Sequence, residues 1–570
     1  MGFSLNYGQF GLHRVSSYFM RLLRLSILGA FSSVLLALAL PNELFSWGNP
    51  AFGLIALAPL FVALASTRSF REAFLAGAIF GGLAHGLSSY WLWFFKDFRI
   101  WTLGTSSVAY MVVYGFIGMY LRGALKRTGI ARTLVFAVAW AVIEWGKSSG
   151  FLGYPWGLIA YSWNTMLPAT QIAESTGVYG LSFALAFVSA SLGELLAPPP
   201  DGLYAPLDKA SERPMRGRLR FLLPSRPNIT GSRFLAFGHL VVSAVLLLAI
   251  TGYGLVALDK ERTPRGYVDA VMVQQNVDSW LGSESENLGV SIALARNAIA
   301  QSDRSPDIVL FSETTLRRPW KGFERFYAKT PGKDPLARFI QDSGAYLFTG
   351  APEILDYETY EATNSVILID PQGKQAGTYA KIHPVPFAEA IPFWEYDPFR
   401  KFIQDVVGLE SGWVMGTERV VFEVPTKAAG MVKFSAPICF EDAVSTLCRE
   451  FIQQGAEILV NLTNDSWSKT DSAEIQHFVA ARFRSIELRR TLVRSTNGGV
   501  SAIVGPDGRI LEILPLFVST SRMVSIPVHV DEVTPYLVFG DWFALILACI
   551  LAVLAIILYL DDVATKKELA

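Results

Sequence analysis

The stretch Lys433-Phe-Ser-Ala-Pro-Ile-Cys439-Phe-Glu441-Asp442 decides how the second half of the chain is read. Lys433–Ile438 is strand-like, and a thiol and two carboxylates follow it at once. Ligand-handling residues of α/β folds sit at such strand ends. Moving outward, the same handover from apolar run to polar residues recurs at Ile308–Phe311, followed by Ser312 and Glu313. Further strand-like runs are Val268–Gln274, Ala345–Thr349, Ser365–Ile369, Ile458–Leu462 and Gly499–Val504. Helical periodicity lies between several of them, as at Asn287–Gln301 and Ala473–Leu488. Alternation of this kind predicts an α/β domain with helices covering a sheet core.

The flanks are of a different character. Of 570 residues, 51% are hydrophobic and 17% charged, with a mean hydropathy of +0.35. Soluble domains carry about 25% charged residues, so the composition predicts a membrane protein. A bilayer core takes about 20 apolar helical residues. Eight candidate spans follow: Leu23–Leu40, Phe52–Ala65, Ala73–Phe95, Trp101–Leu121, Thr133–Trp145, Val178–Leu196, Leu235–Leu258 and Trp542–Leu560. The expected organisation is a polytopic α-helical membrane bundle with seven spans in residues 1–260. The α/β domain occupies 261–535, and the eighth span with its tail occupies 536–570.

Basic residues fix the orientation. Arg14, Arg21 and Arg24, then Arg68 and Arg71, then Arg122, Lys126, Arg127 and Arg132, then Lys209 to Arg233, then Lys566 and Lys567 all fall on one side if there are eight spans. The opposite short loops hold only Lys96, Arg99 and Lys147. Both termini are then expected in the cytoplasm, and the α/β domain on the outer face. A cleaved signal peptide is the competing reading of the first span. It would leave the rest of the pattern in place.

Several functions are disfavoured. Zero net charge provides no basic field for nucleic acid. Cys439, Cys448 and Cys549 are too few for a disulfide scaffold, and the six histidines show no zinc-ligand spacing. There is no phosphate-binding GxxxxGK loop and no GxSxG serine elbow. A Cys439–Cys448 disulfide is the alternative on an oxidising side, but the spacing suits a strand end followed by a helix.

Chemistry concentrates in three segments: Asp307 to Glu313, Tyr379-Ala-Lys-Ile-His-Pro-Val-Pro-Phe-Ala-Glu389, and Ala436 to Asp442. A cysteine attacks as its thiolate, which a nearby base and cation promote. Glu313 can take the thiol proton, and Lys381 can stabilise the oxyanion formed when a carbonyl is attacked. Taken singly, each has an ordinary reading: a buried small hydrophobe, a loop carboxylate and a solvated charge.

Read together, the segments resemble the nitrilase (carbon-nitrogen hydrolase) superfamily, in which Glu, Lys and Cys act as a triad in this chain order. With the membrane spans, the chain is similar to the bacterial apolipoprotein N-acyltransferase family over nearly its whole length. Phe-Leu-Gly-Tyr-Pro-Trp156-Gly, Glu144-Trp-Gly-Lys147, Val-Gln-Gln-Asn276, Lys381-x-His383-x-Val-Pro-Phe-x-Glu389, Ile-Cys439-Phe-Glu441, Asn464-Asp465-x-Trp467, Gln476-His477, Arg482-x-Arg484 and Arg494-x-Thr-Asn497-x-Gly carry the resemblance. Ala388 stands where the family usually has Gly, Phe440 where Tyr is frequent, and Ser468-Lys469 where Phe-Gly is usual.

The resemblance implies an αββα sandwich and a ping-pong acyltransferase without metal or cofactor. Cys439 would attack a phospholipid acyl donor and hold the chain as a thioester. The amine of an S-diacylglyceryl cysteine, the lipoprotein acceptor, would then take it. Glu313 is the implied base, Lys381 the oxyanion partner, and Glu389 and Glu441 supporting residues. Trp156, Trp280, Phe440, Trp394 and Phe399 are the implied substrate-binding residues. The expected location is the bacterial inner membrane with the catalytic domain in the periplasm, as a monomer that uses the membrane and no nucleic acid.

Two aromatic runs are expected to meet the bilayer interface: Phe393, Trp394, Tyr396, Phe399 and Phe402, and Trp320, Phe323, Phe326 and Tyr327. Their ordinary reading is packing beneath loops. Glu144 and Lys147 are spaced to pair on one helix face. Two other functions compete. A membrane-tethered amidase would use the same triad on a small amide, and a transporter or lipid receptor would carry a degenerate domain.

Overall fold

Backbone-to-backbone contact builds the first half of the chain. In the computed structural model, which describes residues 7–94, 101–198, 229–277, 282–359, 361–386, 389–391, 393–394, 396–402, 404–405 and 412–569, the helices Phe70–Ser88 and Ser106–Arg127 lie against each other through glycine. A Cβ on Gly77 would fall 2.1 Å from the Tyr114 carbonyl oxygen, and one on Gly118 would fall 2.5 Å from that of Ala73. Small residues permit this approach, which is how membrane helices associate without a hydrophobic effect between them.

Each of the eight apolar stretches contains helix. Seven are carried by Tyr7–Ala39, Phe70–Ser88, Ser106–Arg127, Arg132–Ser148, Val178–Glu194, Ile229–Asp259 and Trp542–Leu569. The stretch expected as Phe52–Ala65 is broken into Pro50–Ile55 and Ala58–Ser66, with Pro59 in the first turn of the second piece. Among the described residues, four segments are long and apolar enough to cross a membrane: Tyr18–Ala39, Trp101–Arg127, Ala236–Asp259 and Trp542–Asp561. Arg132–Ser148 and Val178–Glu194 have 17 residues each, short of the usual length for a bilayer core. Within Ala236–Asp259 and Trp542–Asp561 only 17% of the apolar window is buried, so these helices present greasy flanks outward, where a water-exposed helix would be polar.

One end of the bundle is basic. There Arg21 pairs with Glu72 at 3.1 Å, Arg122 Nη2 donates to the Arg68 carbonyl, and Arg132 grips Glu194 through two hydrogen bonds of 2.7 Å. The other end carries the α/β domain.

That domain holds β1 (Gly266–Gln274), β2 (Ile308–Leu310), β3 (Tyr346–Asp356), β4 (Glu361–Ile369), β5 (Gln375–Ala380), β6 (Phe422–Thr426), β7 (Gly430–Ser435), β8 (Ile458–Thr463), β9 (Thr491–Thr496), β10 (Ala502–Val504), β11 (Ile510–Ile513) and β12 (Thr520–Val528). They form two six-stranded sheets, ordered β12-β1-β2-β3-β4-β5 and β11-β10-β9-β8-β7-β6. β1, β2 and β3 run parallel in one sheet and β7, β8 and β9 in the other, with antiparallel strands outside them.

The two-residue period of a strand sorts the side chains between two cores. Ala270 and Met272 of β1 enter the core between the sheets, while Val271 and Val273 enter an outer core shared with Leu288, Ile292 and Ala295 of the helix Glu284–Ala300. Phe348 closes the sandwich, its ring 5.2 Å from that of Phe422 and 5.1 Å from that of Phe434. The helices Ser445–Gln453 and Asp471–Leu488 belong to the second half-sandwich, and the latter is buried from Ser472 to Leu488.

Trp320 and Tyr327, expected among interface-dipping aromatics, are buried and stacked at 5.3 Å in the outer core. This corrects that expectation: the ordinary packing reading holds for this run, because Trp320 Nε1 finds the Gly373 carbonyl inside the domain. The expected Glu144–Lys147 pair is corrected too. Glu144 turns inward to accept from Trp140 Nε1, the Ile159 amide and Ser182 Oγ, whereas Lys147 donates to the Trp156 carbonyl.

Candidate active site

Glu313, Lys381 and Cys439 follow β2, β5 and β7, strands from both sheets. The turns that carry them are held by unusual backbone. Cys439 has φ +50° and Thr314, directly after Glu313, has φ +57°. Left-handed conformations of this kind are uncommon for residues with a Cβ and persist where surrounding bonds hold them. At Cys439 the surroundings are an isolated bridge between Ile438 and Leu462 and the Asn461 side chain, whose Nδ2 donates to the Pro437 and Cys439 carbonyls at 2.8 and 3.0 Å. At Glu313 the support is Gly350, where a Cβ would lie 2.6 Å from the Thr314 nitrogen and 2.8 Å from the Glu313 Cα.

The carboxylate of Glu313 is fixed at both oxygens. Oε1 accepts from Asn364 Nδ2 at 2.8 Å, and Oε2 accepts from the Asn464 amide at 3.0 Å. Asn364 Nδ2 also reaches Glu389 Oε1 at 3.2 Å. Lys381 is buried, its Nζ 2.8 and 2.7 Å from the two oxygens of Glu389, and Glu389 Oε2 accepts from the Val385 amide. Cys439 is partly buried.

Electrostatics follow from this packing. Burial would lower the Lys381 ammonium, but the Glu389 and Glu313 carboxylates overcome it and hold the group above the usual lysine range. Burial pushes the Glu313 carboxyl up; Glu389 and Asp465 add to this, and Lys381 and Asn364 oppose it. Burial, with Glu313, also pushes the Cys439 thiol up, against the pull of Lys381. The cluster therefore holds a protonated thiol, a carboxylate of raised basicity and a fixed cation. That set can deprotonate sulfur during attack and meet the negative charge that develops on a carbonyl oxygen.

Glu441 joins two of the three turns. Its carboxylate accepts from the Ile382, His383 and Ile438 amides at 2.8, 2.8 and 2.7 Å, and Tyr379 Oη lies 2.9 Å from both oxygens. Phe440 stacks on Trp156 at 5.2 Å with the planes 9° apart. Trp156 thus carries a contact from the helix bundle to the residue beside the thiol. Trp394 and Phe399 are half-buried on a segment where Phe393 and Tyr396 are exposed, and the Phe399 ring meets that of Phe393 at 6.3 Å. Trp280 lies outside the described residues.

Asn364 and Asn461 were not among the residues singled out from the sequence. Asn461 has one signal, a polar amide inside a largely apolar strand, whereas Asn364 lies between Thr363 and Ser365 in the polar half of β4 and has none. A buried amide needs partners, so it marks a place where side-chain hydrogen bonds are built.

Comparison with known proteins sets this geometry in context. Residues 32–191 match the model of the apolipoprotein N-acyltransferase N-terminal domain, and residues 270–531 match that of carbon-nitrogen hydrolase. The protein named apolipoprotein N-acyltransferase 2 of Treponema denticola is 39% identical over 521 residues, covering 91% of this chain and 95% of its own. The chain belongs to the apolipoprotein N-acyltransferase family. The protein of that name and number in Treponema pallidum is 34% identical over 91% of this chain and 92% of its own. The apolipoprotein N-acyltransferase of Borreliella burgdorferi is 29% identical over 91% and 93%. Because these matches run through bundle and domain alike, membership in the N-acyltransferase family stands against the small-amide hydrolase reading.

Proposed function

We propose that this protein moves a fatty-acyl chain from a phospholipid to the N-terminal amine of an S-diacylglyceryl cysteine, through a thioester on Cys439. The observation that carries this is the convergence of Glu313, Lys381 and Cys439 beside Phe440, which stacks on Trp156 of an apolar helix bundle. A soluble substrate has no need of such a platform.

In the first half-reaction Cys439 sulfur attacks the ester carbonyl as Glu313 takes its proton. Lys381 meets the oxyanion. The S–C bond forms, the ester C–O bond breaks, and the proton on Glu313 passes to the departing lysophospholipid oxygen. In the second, the acceptor amine attacks the thioester carbonyl. The N–C bond forms, the C–S bond breaks, and the amine proton returns to sulfur through Glu313. Glu389 holds Lys381, and Glu441 holds the turns of Lys381 and Cys439 together. Trp156 and Phe440 line the approach, and Trp394 and Phe399 sit on a segment that meets the headgroup region.

The membrane reading is eight passes in a bacterial inner membrane, with the basic ends of the helices in the cytoplasm and the catalytic domain in the periplasm. The short helices cross as parts of a packed bundle, and the protein acts as a monomer.

The test is intact mass of the purified protein after incubation with phospholipid. A fatty-acyl increment is expected that hydroxylamine removes, that Cys439→Ala abolishes, and that a diacylglyceryl lipopeptide discharges as N-acyl product. No adduct on Cys439, or release of free acid alone, would sink the proposal.

A further inference from the structure

The turn of Cys439 carries an acid that the acyl-transfer steps leave unused. Asp442 is fully buried, and its Oδ1 accepts from His477 Nε2 at 2.9 Å. The other nitrogen of the same ring, Nδ1, lies 2.9 Å from Asp465 Oδ2. Asp465 follows Asn464, whose amide holds Glu313. One buried imidazole therefore bridges the turn of the thiol and the loop that fixes its carboxylate partner.

The surroundings decide its charge. A carboxylate 2.9 Å from each ring nitrogen, closer than Arg494 Nη2 at 3.4 Å from Nδ1, makes both nitrogens donors, which is the imidazolium form. Arg494 stands 3.4 Å from both Asp442 Oδ2 and Asp465 Oδ2. Glu474, one turn earlier on the helix of His477, accepts from Ser468 Oγ, and burial, with Asp465 beside it, pushes its carboxyl well up. Trp156 covers the ring with a centroid distance of 5.3 Å. Two carboxylates thus face two cations. Burial and the Arg494 guanidinium both work against the charged ring, but Asp465 and Asp442 outweigh the two and push His477 up to about 9.

We propose that His477 is a positioning residue for acyl transfer, its imidazolium stapling the Cys439 turn to the Glu313 loop and cancelling the charge of Asp465 beside the reacting groups. The proposal rests on the reading of Cys439 as the acylated residue and Glu313 as its base. Asp465 raises both of those groups. With His477 neutral or absent, Arg494 alone faces two carboxylates, and the excess negative charge disfavours the thiolate. A higher pH is then needed for the same rate.

The experiment follows thioester formation on Cys439 against pH in full-length protein with phospholipid micelles. His477→Gln is expected to slow the step by about 10² and to move the rising limb of the profile to higher pH by about one unit. Asp465→Asn removes the opposing charge and is expected to move the limb to lower pH. The double variant is expected to return the limb to the wild-type position at reduced rate. Slower variants that all keep the wild-type limb would mean packing only and would overturn the proposal. If His477→Gln does not fold, an unmoved or upward limb in Asp465→Asn overturns it alone. Wild-type protein that forms no Cys439 adduct would instead overturn the acyl-enzyme reading, a result separate from both.

Discussion

Glu441 shows how much one carboxylate holds in place. Three amides from the turns after β5 and β7 and a phenol from β5 converge on it. Burial pushes its carboxyl up to about 7, against Lys381 and the amides of His383, Ile438 and Ile382. Glu441→Gln keeps the shape but turns an NH2 toward N–H donors. Hydrogen bonds to charged groups contribute roughly 1.5–3 kcal/mol, so a stability loss of about 3 kcal/mol is expected in thermal unfolding, with Cys439 acylation down more than about tenfold. Wild-type stability and rate in this variant would show that the carboxylate is dispensable. His477 supplies a second residue-scale prediction. Its folded value of about 9 stands above the ordinary 6.5. Stability from its charge is therefore complete below pH 6.5 and is lost as pH rises through about 9. The difference corresponds to roughly 3 kcal/mol. Thermal unfolding between pH 6.5 and 10 should show this fall, and His477→Gln should flatten it.

Elements carry the site through close backbone contact. Gly350 of β3 lies under the Glu313 turn with no room for a methyl, and the atoms in the way are main chain. Gly350→Ala must displace Glu313. A misplacement of about 1 Å costs about 10² in rate, and overpacking costs roughly 1–3 kcal/mol. Thioester formation should fall by that factor while the variant still folds; an unchanged rate would mean the turn yields freely. The same scale explains what the sequence conveyed. Strands with apolar, β-branched runs, such as β1 and β8, were legible, and so were the eight apolar stretches. β9, Thr491–Thr496, was not, because a strand buried along its whole length carries Arg494 and three hydroxyl residues. Its arginine is buried against Asp442 and Asp465, and a pattern-based reading takes such a residue for a surface charge. β5, with Gln375, Gly377 and Thr378, lacks the apolar signature as well. Glu313 and Cys439 stood out as candidates because reactive residue types follow apolar runs there, and Lys381 because it completes a Glu–Lys–Cys chain order like that of the nitrilase superfamily. The asparagines that hold them depend on contacts between distant strands, which no local spacing records.

At the scale of the molecule, the helix Asp471–Leu488 joins chemistry to membrane. It is buried all round, which an isolated layered domain does not require of an outer helix. One side packs on the second sheet. The other meets the bundle: Gln476 Nε2 donates to the Pro41 and Ser88 carbonyls, Arg482 Nη1 to that of Asn164, and Phe478 and Phe483 pack on Trp47 and Tyr161. Beyond its end, Arg489 pairs with Glu174 at 2.6 Å. The interface thus mixes aromatic burial with buried hydrogen bonds that each lose a fixed partner when the bundle is removed. His477 lies on this helix between Gln476 and Phe478, so the seating of the bundle and the position of the Cys439 turn are mechanically one arrangement. Residues 261–535 expressed alone are therefore expected not to form a stable monomer. The uncovered aromatic face is an aggregation surface, and the His477 staple loses the Trp156 ring that covers it. Size-exclusion chromatography and thermal unfolding of that fragment check this. A soluble monomer with a cooperative transition and native Cys439 reactivity toward a short-chain thioester would show that the domain needs no bundle, and that the helix contacts serve only to tether it.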